Sequence, residues 1–245
     1  MSDESKTTEP LIERLFHIGA HFGFSKSRRH PSATPYIFGI KNRVEIIDLE
    51  QTQKMLESAK EYVCKLAAEN KSILFVSGKN EARSAIRRGA EALDMPYVAG
   101  RFVGGTLTNY SQMKKRIDRL AQLRKERDAG ELSKYTKKER LMIDREIDRL
   151  EHMFGGIAEM DALPAALFVV DPRAERIAIE EALKLNIPIV ALASSDCNLD
   201  EIDYPILAND TSITSITFFI NEIVDAYQKS RTAKKEGEPA VCPVE

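Results

Sequence analysis

Three apolar runs constrain this chain more than any other feature. Residues 72–76 (SILFV), 167–170 (LFVV) and 189–193 (IVALA) are apolar at nearly every position, without polar and apolar side chains alternating. A strand that is apolar on both faces must be covered on both faces, which is the condition of a parallel sheet flanked by helices. The stretches between these runs have helical spacing instead. Residues 51–69 place Met55, Leu56, Ala59, Val63 and Leu66 along one side. Helices are expected at 80–93, 175–185 and 213–227 as well, with a short one at 11–19 stopped by Gly19. Shorter strands are expected at 44–49, 97–99 and 204–207. Right-handed crossovers then give an α/β fold, a Rossmann-like or flavodoxin-like three-layer sandwich with a parallel sheet.

One segment breaks this rhythm. In 107–154 the apolar positions Met113, Ile117 and Leu120, then Ile143, Ile147, Leu150 and Phe154, form two seams on highly charged helices. A polar DAGELSKY turn separates them. Two such helices are expected to pair as an inserted antiparallel coiled-coil hairpin. The domain reading is therefore a sandwich at 11–106 and 155–228, interrupted by 107–154. Gly104-Gly105 and Gly155-Gly156 read as hinges at the borders of the insertion. Residues 1–10 and 229–245 are polar and are expected to be disordered or flexible. Residues 20–43 are rich in Gly, Ser, Arg and Pro and read as an extended arm with no period of its own.

Charge is distributed unevenly. The formal net charge is −2, but residues 1–100 sum to +2, residues 101–154 to +5 and residues 155–245 to −9. Two windows contain no acidic residue at all. Between Glu13 and Glu45 lie Arg14, Lys26, Arg28, Arg29, Lys41 and Arg43; between Asp94 and Asp118 lie Arg101, Lys114, Lys115 and Arg116. A surface that meets phosphates needs this, because a nearby carboxylate repels them. His30 sits beside the first cluster. Thr106, Thr108 and Asn109 can offer hydroxyl and amide groups to phosphate or to a 2′-hydroxyl. Tyr36, Phe38, Phe102 and Tyr110 interleave with the cations, where they either stack on unpaired bases or pack against the sandwich.

Other chemistries find less support. No run approaches the roughly 18 apolar residues that span a bilayer. The acidic start MSDESKTTEP is unlike a signal peptide, so the cytoplasm is the expected compartment. Cys64, Cys197 and Cys242 are scattered and form no C-x-x-C pair, so neither a disulfide framework nor a zinc knuckle is expected. The phosphate loop and the three-glycine dinucleotide fingerprint are both missing; after the strand at 72–76 stands only Gly78-Lys79. Asp171 occupies a strand end where α/β enzymes place chemistry, yet Asp171-Pro172 is also ordinary turn and cap chemistry. His17 and His21 are four apart, with no third ligand at suitable spacing. No cofactor is expected. An enzyme acting on a small molecule through Asp171 and Gly78-Lys79 remains an alternative, as does a protein-docking module working through 107–154.

A set of ordered motifs narrows these options. They are HFG (21–23), RRHP (28–31), PYIFG (35–39), IIDL (46–49), GGTLTN (104–109), YTKKE (135–139), GGI (155–157), ALFVVDP (166–172), IAIEEALKLNIPIVAL (177–192) and IDYPI (202–206). In these the chain resembles the bacterial-type family of small-subunit ribosomal protein S two, from about Leu11 to Tyr227. The resemblance implies a structural protein without catalysis, bound to 16S-type rRNA near the junction of head and body. Its neighbours would be other small-subunit proteins, including the large mRNA-binding ribosomal protein. The chain departs from the family pattern at Phe24, where a histidine is usual, and at His30 and Phe102, where tryptophans are usual. The loop 208–213 departs from the usual GNDDAI.

Overall fold

The structure is a computed structural model, and it describes residues 10–235. The three apolar runs are the strands β4 (Ile73–Ser77), β6 (Ala166–Val170) and β7 (Ile189–Ala193), each buried along its whole length. With β5 (Tyr97–Ala99) and β8 (Tyr204–Leu207) they form a five-stranded parallel sheet in the order β5-β4-β6-β7-β8. Successive side chains in a strand point to opposite faces, so each apolar run feeds two cores. Ile73, Phe75, Phe168 and Val170 face one cluster; Leu74, Val76, Leu167 and Val169 face the other. Phe75 and Phe168 meet across β4 and β6 with ring centroids 5.3 Å apart.

The first cluster is covered by α2 (Leu49–Ala68), α3 (Asn80–Leu93) and α7 (Ile213–Lys235), with Leu15 of α1 (Leu11–His17) at its margin. The second is covered by α6 (Arg176–Lys184) and by residues of α4 (Tyr110–Asp128) and α5 (Lys137–Phe154). Helices on both sides of a parallel sheet bear out the three-layer α/β expectation. Ile117, Leu120, Ile147, Leu150 and Phe154 of the two seams are all buried. Arg124 Nε lies 2.7 Å from Glu151 and Arg119 Nε 4.0 Å from Glu146, so α4 and α5 also exchange charges. Thr136 and Glu139 close a reciprocal capping box at the start of α5. Among the described residues no helix is long and apolar enough to cross a membrane.

The arm departs most from expectation. Residues 20–43 are not extended. They supply β1 (Phe22–Ser25), two short 3-10 segments at Lys26–Arg28 and Pro31–Tyr36, and β2 (Ile37–Lys41). With β3 (Val44–Ile47) the strands form a second, antiparallel sheet in the order β1-β3-β2. β2 and β3 are joined by a two-residue turn in which Asn42 and Arg43 have φ of 51° and 66°. Both central residues are left-handed, as the tight hairpin turn demands. The sheet escapes a reading by hydrophobic period because Phe38 and Ile40 of β2 are exposed.

Smaller corrections have local causes. The strand expected at 44–49 stops at Ile47, because Asp48 caps α2 by accepting the Glu50 N–H at 3.0 Å. The closing helix, expected to stop at 227, runs on to Lys235 because its buried side continues. The Ser230 hydroxyl donates to the Cys64 carbonyl at 3.0 Å. Gly156 is a packing point: a Cβ there would lie 2.2 Å from the Tyr97 carbonyl oxygen. Cys64 and Cys197 are buried. Cys242, the start 1–9 and the end 236–245 lie outside the described residues.

Candidate nucleic-acid interface

A doubly wound sheet offers its ligand crevice where the strand order reverses, beyond the carboxyl ends of the strands. Here that point lies between β4 and β6, and the chain fills it with its own charges. Lys79 Nζ is 2.8 Å from Asp171 Oδ2, 2.8 Å from Asp210 Oδ2 and 3.1 Å from the Asp210 carbonyl oxygen. The clasp ties the ends of β4, β6 and β8 together. Burial opposes the charge on Lys79, but the two carboxylates outweigh it and hold its pKa above the ordinary value. Burial pushes Asp210 up to about 6, against the pull of Lys79. Its carboxyl oxygens receive no well-directed hydrogen bond among the described residues, so the contact is ionic. Gly78 is equally confined, since a Cβ there would lie 2.5 Å from Glu175 Oε1. The residues that suggested an enzyme are therefore occupied with one another. Burial also pushes the Cys197 thiol up to about 12.

Arg14 stands apart, 3.7 Å from Glu222, and the other five cations of the first window divide into two groups. Lys26, Arg28, Lys41 and Arg43 are exposed. Lys41 and Arg43 stand at the β2–β3 turn, and Arg28 lies over the Phe24 ring at 5.5 Å. Arg29 behaves differently, with Nη1 3.2 Å from Glu45 Oε1. The Glu45 side chain is fully buried and neither of its oxygens receives a directed hydrogen bond, so Arg29 is its counter-charge. The residue that ends the acid-free window in sequence thus folds back beneath it. His30 is structural too. Its N–H donates to the Ser195 carbonyl at 2.8 Å, and its Nδ1 accepts the Ser32 N–H at 3.3 Å, capping the 3-10 segment. Arg29 and His30 are thus partly engaged by the chain itself, unlike the exposed cations.

The second window is built around a second buried acid. Glu181 of α6 is 6% exposed. Its carboxylate accepts the backbone N–H groups of Gly105, of Leu107 at 2.9 Å and of Thr108 at 3.1 Å. Gly105 adopts φ +89°, a conformation that favours glycine. Thr106 is buried and its hydroxyl donates to the Val103 carbonyl at 2.6 Å, so it is not offered to a ligand. Arg101, Thr108, Asn109, Lys115 and Arg116 are exposed; Lys114 is half-buried, 3.5 Å from Asp161. No sequence signal pointed to Glu181, which lies 74 residues from Leu107.

The aromatic residues divide as well. Phe102 is buried, and Tyr36 and Tyr110 pack against the same cluster, so these three support the fold. Phe38 is 81% exposed. It lies with Phe16, Phe22, Ile40 and His21 around one apolar hollow. His21 stacks on Phe16 with centroids 4.6 Å apart, and burial lowers its pKa, which favours the neutral ring. Both windows root in the second core cluster, through Ala33, Tyr36 and Ile37 for the first and Phe102 and Leu107 for the second. A family model described as ribosomal protein S2 matches residues 15–230.

Arg29→Ala should strip Glu45 of its counter-charge and destabilise the fold by roughly 3–5 kcal/mol. Arg28→Ala should stay within about 0.5 kcal/mol. Urea unfolding of both variants checks this, and equal midpoints would contradict it. A second expectation concerns pH. Folding raises the Asp210 pKa from 3.8 to about 6, so this group's contribution to stability is full below 3.8 and is lost as pH rises through about 6. Lowering the pH from 7 to 5 should therefore stabilise the native chain relative to Asp210→Asn. A difference between their urea midpoints that does not change with pH would contradict the expectation.

Proposed function

The chain belongs to the ribosomal protein S2 family, and from that premise we propose that outward-facing cations on two acid-free surfaces hold it on the 16S-type rRNA of the small subunit. Members of this family are structural small-subunit proteins of translation and not enzymes. The set that meets phosphates is Lys26, Arg28, Lys41 and Arg43 with Arg101, Lys115 and Arg116, while Thr108 and Asn109 lie within reach of sugar or phosphate. The observation that carries this reading is the placement of the acids. Glu45 and Glu181, whose carboxylates reach the two windows from within, are both buried, while the exposed Asp161 pairs with Lys114, which is therefore left out of the set. Counterion release from such contacts drives binding and makes it dependent on salt.

The domain reading follows the same pattern. We take 107–154 as a coiled-coil hairpin inserted in a sandwich formed by 11–106 and 155–228. The hollow of Phe16, Phe22, Phe38 and Ile40 suits a protein neighbour better than RNA. It is apolar, its histidine ring favours the neutral form, and interface cores are enriched in such aromatic residues. The neighbours in view are other small-subunit ribosomal proteins, among them the large mRNA-binding one, in the cytoplasm.

Arg28→Glu combined with Arg43→Glu should leave the melting temperature unchanged. It should weaken binding to 16S-type rRNA and reduce the slope of log K against log salt by about 1 for each lost contact. Filter binding across a salt series measures this; an unaltered slope sinks the reading. Phe38→Ala should leave rRNA affinity intact while reducing the neighbouring proteins retained on small subunits reconstituted with the variant. Mass spectrometry of sedimented particles would read the loss, and equal retention would remove the docking role.

A further inference from the structure

We propose that Glu181 is a positioning residue for the RNA-facing loop 101–109, an internal anion that fills a cradle of backbone amides and so fixes the outward side chains. The proposal rests on the rRNA-binding reading above and adds to it the device that shapes one contact surface.

The N–H groups of Gly105, Leu107 and Thr108 converge on one point. Convergent backbone amides form a concave nest for anions, of the kind that elsewhere receives a phosphate. In this chain the anion comes from α6, and both carboxylate oxygens are engaged. The arrangement has three consequences. The nest is already full, so a phosphate arriving at this loop meets side chains and not amides. The Glu181 charge is spent inward, so it does not repel that phosphate. The loop also takes its shape from the nest. Asn109, which precedes α4, makes no side-chain capping bond. The turn is also held by the Thr106 N–H and hydroxyl bonds to the Val103 carbonyl, by the Asn109 N–H bond to Gly105 at 2.9 Å and by the buried side chains of Phe102 and Leu107; the carboxylate adds three backbone bonds to these. Arg101, Thr108 and Asn109 stand on this turn or directly beside it.

Glycine matters here at Gly105, which supplies the left-handed turn that aims its N–H at the carboxylate.

The test compares rRNA affinity for the native chain, Glu181→Gln and Glu181→Ala at constant ionic strength, with chloride or with acetate as the added anion. Glutamine keeps the shape but turns an amide donor toward backbone donors. It should bind rRNA about tenfold more weakly at a melting temperature within a few degrees of native. Alanine empties the nest, and acetate, which can re-enter it, should restore affinity where chloride does not. Native-like affinity of either variant in chloride overturns the proposal. So does an alanine variant that is unfolded and regains neither fold nor affinity in acetate, since Glu181 would then be a core element only. If the native chain itself fails to bind rRNA, the rRNA-binding reading has failed, and that outcome is separate from any difference between the variants.

Discussion

A carboxylate taken out of water must be met by donors or by a counter-charge, because its desolvation costs several kcal/mol. Three of the carboxylates that this chain buries each tie a distant segment into place. Glu45 holds Arg29, and through it the start of the arm. Glu181 holds the turn 105–108. Asp210, with Asp171, holds Lys79 and so the ends of β4 and β8. The sheet supplies the rigid frame, since β4, β6 and β7 are buried on both faces. The segments that face outward are irregular and cannot be positioned by a hydrophobic stripe. Directed contacts to buried anions do that work instead.

The same economy explains how a fold shared with many nucleotide enzymes comes to serve a different end. The crevice at the strand reversal is the natural site of chemistry in such sheets. Here Lys79 spans it, and Glu175 presses against Gly78 where a phosphate would need the backbone to be free. The amide nest most like a phosphate cradle lies elsewhere, in the loop after β5, and it too is filled by the chain. The crevice at the strand reversal and the amide nest are thus both filled by charges of the chain itself. The exposed cations and the apolar hollow around Phe38 are what the arm leaves open to solvent.

The sequence made the frame legible and left the supports obscure. Runs such as SILFV and IVALA announce strands because burial on both faces leaves no room for a polar position. The seam of Ile143, Ile147, Leu150 and Phe154 likewise reveals its helix. Of the antiparallel sheet only β3 was expected; β2 escapes because it exposes Phe38 and Ile40, so its hydrophobic pattern points away from the core and follows no expected period. Its turn, Asn42-Arg43, lacks the glycine that usually marks such hairpins. Glu181 could not be found from spacing, since it acts on backbone amides some 74 residues earlier in the chain. Tyr36 and Phe38 look alike in sequence; only the structure separates the packed ring from the exposed one.

Arg28 and Arg29 carry the same charge at adjacent positions, and they show what an acid-free window can and cannot mean. A window counted along the chain records only the acids that are near in sequence. Arg29 finds Glu45 across the small sheet, because β1 and β3 pair and carry that acid beneath the arm. Arg28, one residue earlier, is exposed and lies over the Phe24 ring. The pairing does not weaken the basic surface. An exposed Glu45 would repel a phosphate at this site; buried and paired with Arg29, it is neutralised inside, and the outward field is set by Lys26, Arg28, Lys41 and Arg43. A chain with a net charge of −2 can therefore present a strongly basic face, provided that the acids nearest to it are turned inward and used to build it.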